Sequence, residues 1–132
     1  MMKTDRETLH NAPKKHDTCA GARENRPKES EKALEARLRK EVEKRGGMAI
    51  KLSSQMHRGL PDRMVLLPHA VQYFVELKTT GKKPTGLQTH CHEQLRALHF
   101  PVLVIDSTKA LEDFLAIADF EQAEIESSIG ER

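Results

Sequence analysis

A chain of 132 residues with 37% hydrophobic side chains has room for one modest domain around a small core. Its two cysteines, Cys19 and Cys91, are too few for a disulfide framework or a four-cysteine metal site. The amino terminus is polar and no apolar run approaches bilayer length, so the expectation is a soluble, cytoplasmic protein.

The formal net charge of +2 hides a gradient. Residues 1–28 carry seven Lys or Arg against four acids, residues 29–118 fourteen against eleven, and residues 119–132 one against five. The first 28 residues hold almost no large apolar side chains, so they bury too little surface to offset ordering entropy and read as a disordered basic arm. A folded domain is expected over 29–118, followed by an acidic tail over 119–132.

From Ser30, a good N-cap, Leu34, Leu38 and Val42 recur every four residues until Gly46-Gly47, which predicts an amphipathic helix closed by glycine. Met48, Ile50 and Leu52 then alternate with Ala49, Lys51 and Ser53, the period of a half-buried strand. A polar connection over 55–61 leads to "RMVLL" and "VQYFVELK", two β-rich runs around Pro68-His69-Ala70 that predict an antiparallel hairpin. After Pro84 and Gly86, the residues Leu87, Cys91, Leu95 and Leu98 form a helical stripe. "PVLVID" is a short apolar strand, and Ser107 or Thr108 can cap a last helix carrying Leu111, Phe114, Leu115 and Ala118. The fold class is mixed α/β, in the order α, β, β, β, α, β, α.

Between Arg37 and Arg58 stand seven cations (Arg37, Arg39, Lys40, Lys44, Arg45, Lys51, Arg58) and only two acids. They form a candidate phosphate-facing stripe, although alone the pattern reads more simply as a solvated helix face with i,i+4 pairs.

Strand geometry places Glu76 and Lys78 on one face, with Asp62 at the neighbouring end of the preceding strand. Two carboxylates meeting at one point repel unless a cation joins them, and hard oxygen ligands suit Mg²⁺ or Mn²⁺. A nearby ammonium can hold water and stabilise charge developing on a phosphoryl oxygen. A bare Glu-x-Lys is ordinary, most often an exposed ion pair worth under about 1 kcal/mol. The signal lies in the joint order: an acidic helix, Pro61-Asp62, a hairpin, Glu76-x-Lys78, then a helix beginning near Gln88.

In that order the chain resembles the PD-(D/E)xK nuclease superfamily, whose core is restriction-endonuclease-like, α-β-β-β-α-β. Within it, Glu35, Gly46-Gly47, Gly59-x-Pro61-Asp62-Arg63, Phe74-Val75-Glu76-x-Lys78 and Gln88 resemble the virus-type replication-repair nuclease (VRR-NUC) domain in its small phage form, over roughly residues 30–118. The resemblance implies metal binding by Asp62, Glu76 and the Leu77 carbonyl, with Lys78 positioning the attacking water. It further implies that Glu35 assists from the first helix and that Gln88 orients its neighbours. The chain departs from the pattern at His99-Phe100-Pro101, where a glycine is expected before the last core strand.

His90, Cys91 and His92 lie adjacent on a helix, about 100° apart, and cannot jointly grip one ion. The expectation is a buried Cys91 between exposed histidines. His57, on the polar loop near Asp62, is either a plain loop histidine or a phosphate contact. Glu31 is the rival of Glu35, which is preferred for its position mid-helix. Arg37, Lys51, His57 and Arg58 are the candidate DNA contacts.

The expected function is a Mg²⁺- or Mn²⁺-dependent DNA endonuclease acting on branched DNA such as Holliday junctions or flaps, in DNA repair or replication in a bacterial or phage-infected cell. An archaeal-type resolvase or restriction-like enzyme shares the motif, and a non-catalytic nucleic-acid-binding module is the alternative of another class. A homodimer is expected because symmetric junction cleavage needs two sites, with the first helix or Leu111 to Ala118 as candidate pairing surfaces.

Overall fold

The computed structural model describes residues 30–53, 55 and 57–130, and the expected arm over 1–28 lies outside them. Helix α1 spans Glu31–Lys44; Ser30 caps it, its Oγ accepting the Ala33 N–H at 3.1 Å. The chain then turns tightly into β1, Met48–Lys51. A Cβ on Gly47 would sit 2.4 Å from the Leu66 carbonyl oxygen, so only glycine allows the backbone so close to the neighbouring strand.

Strands β2 (Arg63–Leu67) and β3 (Val71–Leu77) form the expected hairpin around the turn Pro68–Ala70. Helix α2 covers Gly86–Ala97, β4 covers Val102–Ile105, and α3 covers Thr108–Gly130. The four strands lie in the order β1-β2-β3-β4, with β1–β2 and β2–β3 antiparallel and β3–β4 parallel. A parallel pair needs a crossover, and α2 supplies it.

Helices α1 and α3 cover one face of the sheet. Leu34, Leu38 and Val42 meet Leu111, Phe114, Leu115 and Ala118 over Val65, Leu67, Tyr73, Val75, Leu77 and Ile105. Tyr73 and Phe114 meet edge to face, centroids 5.0 Å apart. The other face carries the thinner layer beneath α2, whose buried residues are Cys91 and His92.

Several expectations change. The β1–β2 register pairs Ala49 with core-facing Val65, so Ala49 packs on the core while Met48 stands 61% exposed. Helix α3 continues to Gly130 instead of giving way to a tail after 118: Asp119 pairs with Arg45 at 2.6 Å, and Ile125 packs against the core. The apolar faces of α1 and of Leu111 to Ala118 are consumed by the core, so neither pairs subunits. In α2, Leu87 and Leu98 are exposed and His92 is buried, because the helix rests on Cys91 and His92. Among the described residues no helix is long and apolar enough to cross a membrane.

Candidate active site

The β2–β3 register aligns Arg63 with Val75, which carries the residue before β2 to the level where β3 ends. Asp62 therefore meets Leu77, and its Oδ2 accepts the Leu77 N–H at 2.8 Å. Its carbonyl accepts the Leu52 N–H at 2.9 Å. Asp62 is thus held through both side chain and main chain across three strands, a fixed carboxylate on an otherwise irregular approach.

Glu76 is paired with Val104 of β4 and is fully buried on the side covered by α2. Neither of its oxygens has a hydrogen-bond partner of ordinary length among the described residues; Asp62 faces it with its carboxyl, which can bond it only through a shared proton, and with its main-chain N–H. Burial first, and then Asp62, push the Glu76 pKa up to about 8, while the Lys78 ammonium opposes them. Lys78 Nζ lies 3.9 Å from Glu76 Oε2, and the Lys78 N–H continues the sheet by donating to the Ile105 carbonyl at 3.0 Å.

A cleft of about 520 Å³ opens beside this cluster, lined by Asp62, Arg58, Gly59, Leu60, Thr85 and Gln88 among others. Gly59 has φ +87°, and a Cβ there would lie 2.6 Å from the Leu87 carbonyl, so the loop approaches α2 as only glycine can. Gln88 lines the cleft while closing the α2 capping box: its Oε1 accepts the Thr85 N–H at 2.9 Å, and Thr85 Oγ1 accepts the Gln88 N–H at 3.2 Å. Its carboxamide oxygen orients the helix start that walls the cleft. His57 and Arg58 are exposed, Arg58 on this cleft and His57 on an adjoining apolar hollow with Leu60, Cys91 and Leu95.

The remaining candidates divide. Glu35 on α1 accepts a hydrogen bond from the Arg63 guanidinium, which also donates to the Ala49 carbonyl at 3.1 Å. Glu35 therefore communicates with the site through the residue that follows Asp62; Glu31 is exposed in the first turn. Lys51 ends β1, exposed, opposite Arg63. Arg37 is not brought to the site: it donates to Thr108 Oγ1 at 3.1 Å and lines a groove with Glu41, Arg45, Glu112 and Asp119 between α1 and α3. That groove carries three carboxylates, and Arg45 bonds both Glu41 and Asp119. On α1, Lys44 and Arg45 of the basic stripe are accordingly paired with acids.

Three features escaped the sequence pattern. Arg63 is a buried cation linking α1 to the sheet, legible only as part of the Pro-Asp-Arg string. Lys82 and Lys83 are exposed on the loop between Lys78 and the cleft residue Thr85, and their short spacing from Lys78 was the available signal. His92 is 1% exposed; burial, then Arg96 and Lys78, hold its pKa below the usual 6.5. Its neighbour Cys91 is buried too, its thiol pKa raised by burial and then by Glu76.

A four-stranded mixed sheet between helices, with Asp62, Glu76 and Lys78 at one end, defines the restriction-endonuclease-like class. No family model matches the chain. A search of curated proteins finds "Putative nuclease p44" of Acyrthosiphon pisum secondary endosymbiont phage 1, 47% identical over 77 residues that cover 58% of this chain and 83% of the relative. Among solved structures a VRR_NUC domain superposes with TM-score 0.63 at 32% identity, covering 65% of this chain and 94% of that one. The chain belongs to the VRR-NUC nuclease domain family, as a small phage-type member.

Proposed function

We propose that this protein is a divalent-metal-dependent endonuclease that hydrolyses phosphodiester bonds in DNA. The observation that carries the reading is the meeting of a fixed Asp62 and a buried Glu76 beside the Lys78 ammonium. Glu76 has two buried oxygens without a hydrogen-bond partner of ordinary length, an arrangement that is costly for a carboxylate and that a hard cation relieves. Among the described residues no three His, Cys, Asp or Glu side chains form a closed cage. Two carboxylates with the rest of the shell left to water and substrate is the manner in which Mg²⁺ is commonly held, so the donor set fits Mg²⁺ or Mn²⁺.

In this reading Asp62, Glu76 and the Leu77 carbonyl hold the cation, which supplies Lewis-acid polarisation of the phosphoryl oxygen and a bound water of lowered pKa. Lys78 positions the attacking water and stabilises charge growing on the phosphoryl oxygens. Glu35 supports the site through Arg63, and Gln88 fixes the helix start beside the cleft. Arg58, His57, Lys51, Lys82 and Lys83 supply phosphate contacts around it. Branched DNA is the proposed substrate, in replication or repair, and the working form a homodimer: one chain offers one site, and two-fold pairing supplies a second for the junction strand of like polarity. The exposed Leu87, Leu98 and Phe100 are pairing candidates in place of the faces used by the core.

The test incubates the full chain with labelled four-way, flap, nicked and linear DNA, with Mg²⁺ or Mn²⁺ and with chelator, beside Glu76→Ala and Lys78→Ala. Expected are metal-dependent cuts favouring branched DNA and paired across a junction, abolished in Glu76→Ala and slowed at least about a hundredfold in single turnover in Lys78→Ala. Cleavage that survives chelation, or full activity in Glu76→Ala, would overturn the reading. Light scattering checks for twice the 15.0 kDa chain mass.

A further inference from the structure

The layer between α2 and the sheet is thin, and two of its buried side chains have polar atoms without partners: both Glu76 oxygens and His92 Nε2. The mechanism above uses the first and leaves the second idle. A buried imidazole nitrogen without a partner is costly to retain, and a core position of this size accepts leucine or methionine.

A carboxylate offers about four acceptor positions, and a cation occupies only some of them. The orientation of metal-binding carboxylates is ordinarily fixed by an outer donor. Around Glu76 the possible donors are few, and the Asp62 main-chain N–H that faces its carboxylate makes no bond of ordinary length. Lys78 stands 3.9 Å away, beyond hydrogen-bond length, and is assigned to water and phosphate. Arg96 of α2 donates to the Val102 carbonyl at 2.9 Å. Cys91 is a weak donor that tolerates apolar surroundings. His92 remains, held by α2 against the same face of the sheet, with a ring nitrogen that can carry a proton while the ring is neutral.

We infer that His92 is a positioning residue of this site: its Nε2–H, through one bridging water, is an outer donor that fixes the Glu76 carboxylate for the divalent cation. The inference rests on the metal-dependent reading and adds to it a residue for which neither composition nor spacing argued.

The test compares the full-length wild type with His92→Leu, which fills the volume without a donor, and His92→Asn, which restores an N–H. Mn²⁺ binding is measured by calorimetry, and thermal unfolding without metal is followed in parallel. Expected is a roughly 10- to 100-fold weaker Mn²⁺ affinity in His92→Leu, with metal-free unfolding unchanged or raised, and recovery of most of that affinity in His92→Asn. Mn²⁺ affinity within twofold of wild type in His92→Leu, or no advantage of asparagine over leucine, would overturn the inference while leaving the nuclease reading intact. A wild type that binds no Mn²⁺ overturns the metal reading and this inference with it. Should His92→Leu fail to fold, the imidazole ¹⁵N signals of the wild type decide: added Mg²⁺ should move the His92 Nε2 resonance, and an unmoved resonance overturns the inference.

Discussion

The carboxylate of Asp62 accepts the main-chain N–H of Leu77 at 2.8 Å, so an acid is fastened to the strand that bears Glu76 and Lys78. One side chain thereby has a structural and a chemical duty, and two substitutions separate them. Asp62→Asn keeps an acceptor oxygen for the buried Leu77 N–H but not the charge; it should fold normally and lose cleavage by at least about a hundredfold. Asp62→Ala should lose cleavage as well and be less stable by about 1–3 kcal/mol, since Leu77 is left without its acceptor. Denaturant melts beside a junction-cleavage assay check both. Equal stability of the two variants would mean the bond contributes nothing to the fold.

Burial, and next the Asp62 carboxyl, raise Glu76 from its ordinary 4.5 to about 8. The folded chain therefore holds a proton that the unfolded chain releases near 4.5. The associated stability is complete below that pH and is lost as pH rises through about 8. Metal-free protein should melt at a lower temperature at pH 8.5 than at pH 5.5, and Glu76→Gln should flatten this slope. Mn²⁺ competes with the same proton, so its apparent affinity should climb over that interval. Melting curves with and without Mn²⁺ at several pH values measure both trends; a wild-type slope unchanged in Glu76→Gln would assign it to another group.

Gly59 combines φ +87° with a Cβ position 2.6 Å from the Leu87 carbonyl. Gly59→Ala must shift the loop that carries Arg58 away from the start of α2, because backbone on the other side cannot rotate aside. The expected cost is more than about 1 kcal/mol, with a larger loss of DNA affinity than Arg58→Ala alone produces. Fluorescence anisotropy on labelled DNA, beside a melt, tests this; an alanine variant as stable as wild type would mean the approach relaxes cheaply.

Where the family pattern leads to a glycine, His99 takes φ +69° at the end of α2, with the Phe100 N–H returning to the Leu95 carbonyl at 3.0 Å. The turn is made, and a residue with a Cβ bears the strain. His99→Gly should stabilise the chain by about 0.5–1 kcal/mol, raising Tm by several degrees in a domain of this size, with cleavage unchanged. A lower Tm would show that the exposed imidazole has a favourable contact of its own.

What the linear chain determines is what repeats locally or follows from neighbours. The four-residue spacing of Leu34, Leu38 and Val42, the capping serine before them and the hairpin around Pro68 are short-range properties, and all take their expected form. So does the facing of Val71, Tyr73, Val75 and Leu77 to one side and Glu76 to the other, since strand alternation needs no partner. The candidate acids were legible for the same reason: Glu76 and Lys78 are two apart, and Asp62 adjoins the paired strand.

The rest depends on which surfaces meet, and no local period encodes that. Ala49 turns to the core instead of Met48 because the β1–β2 register is set across the sheet. Arg37 and Arg45 face α3 and its acids because α1 and α3 share one side of the sheet, whereas along the chain they belong to an unbroken basic run. His92, between Cys91 and Glu93 and off the stripe of Leu87, Cys91, Leu95 and Leu98, gives no sign of burial until the helix settles over the sheet. Only then does a polar ring lie in the layer that also buries Glu76, since burial belongs to packed layers and not to neighbours in sequence.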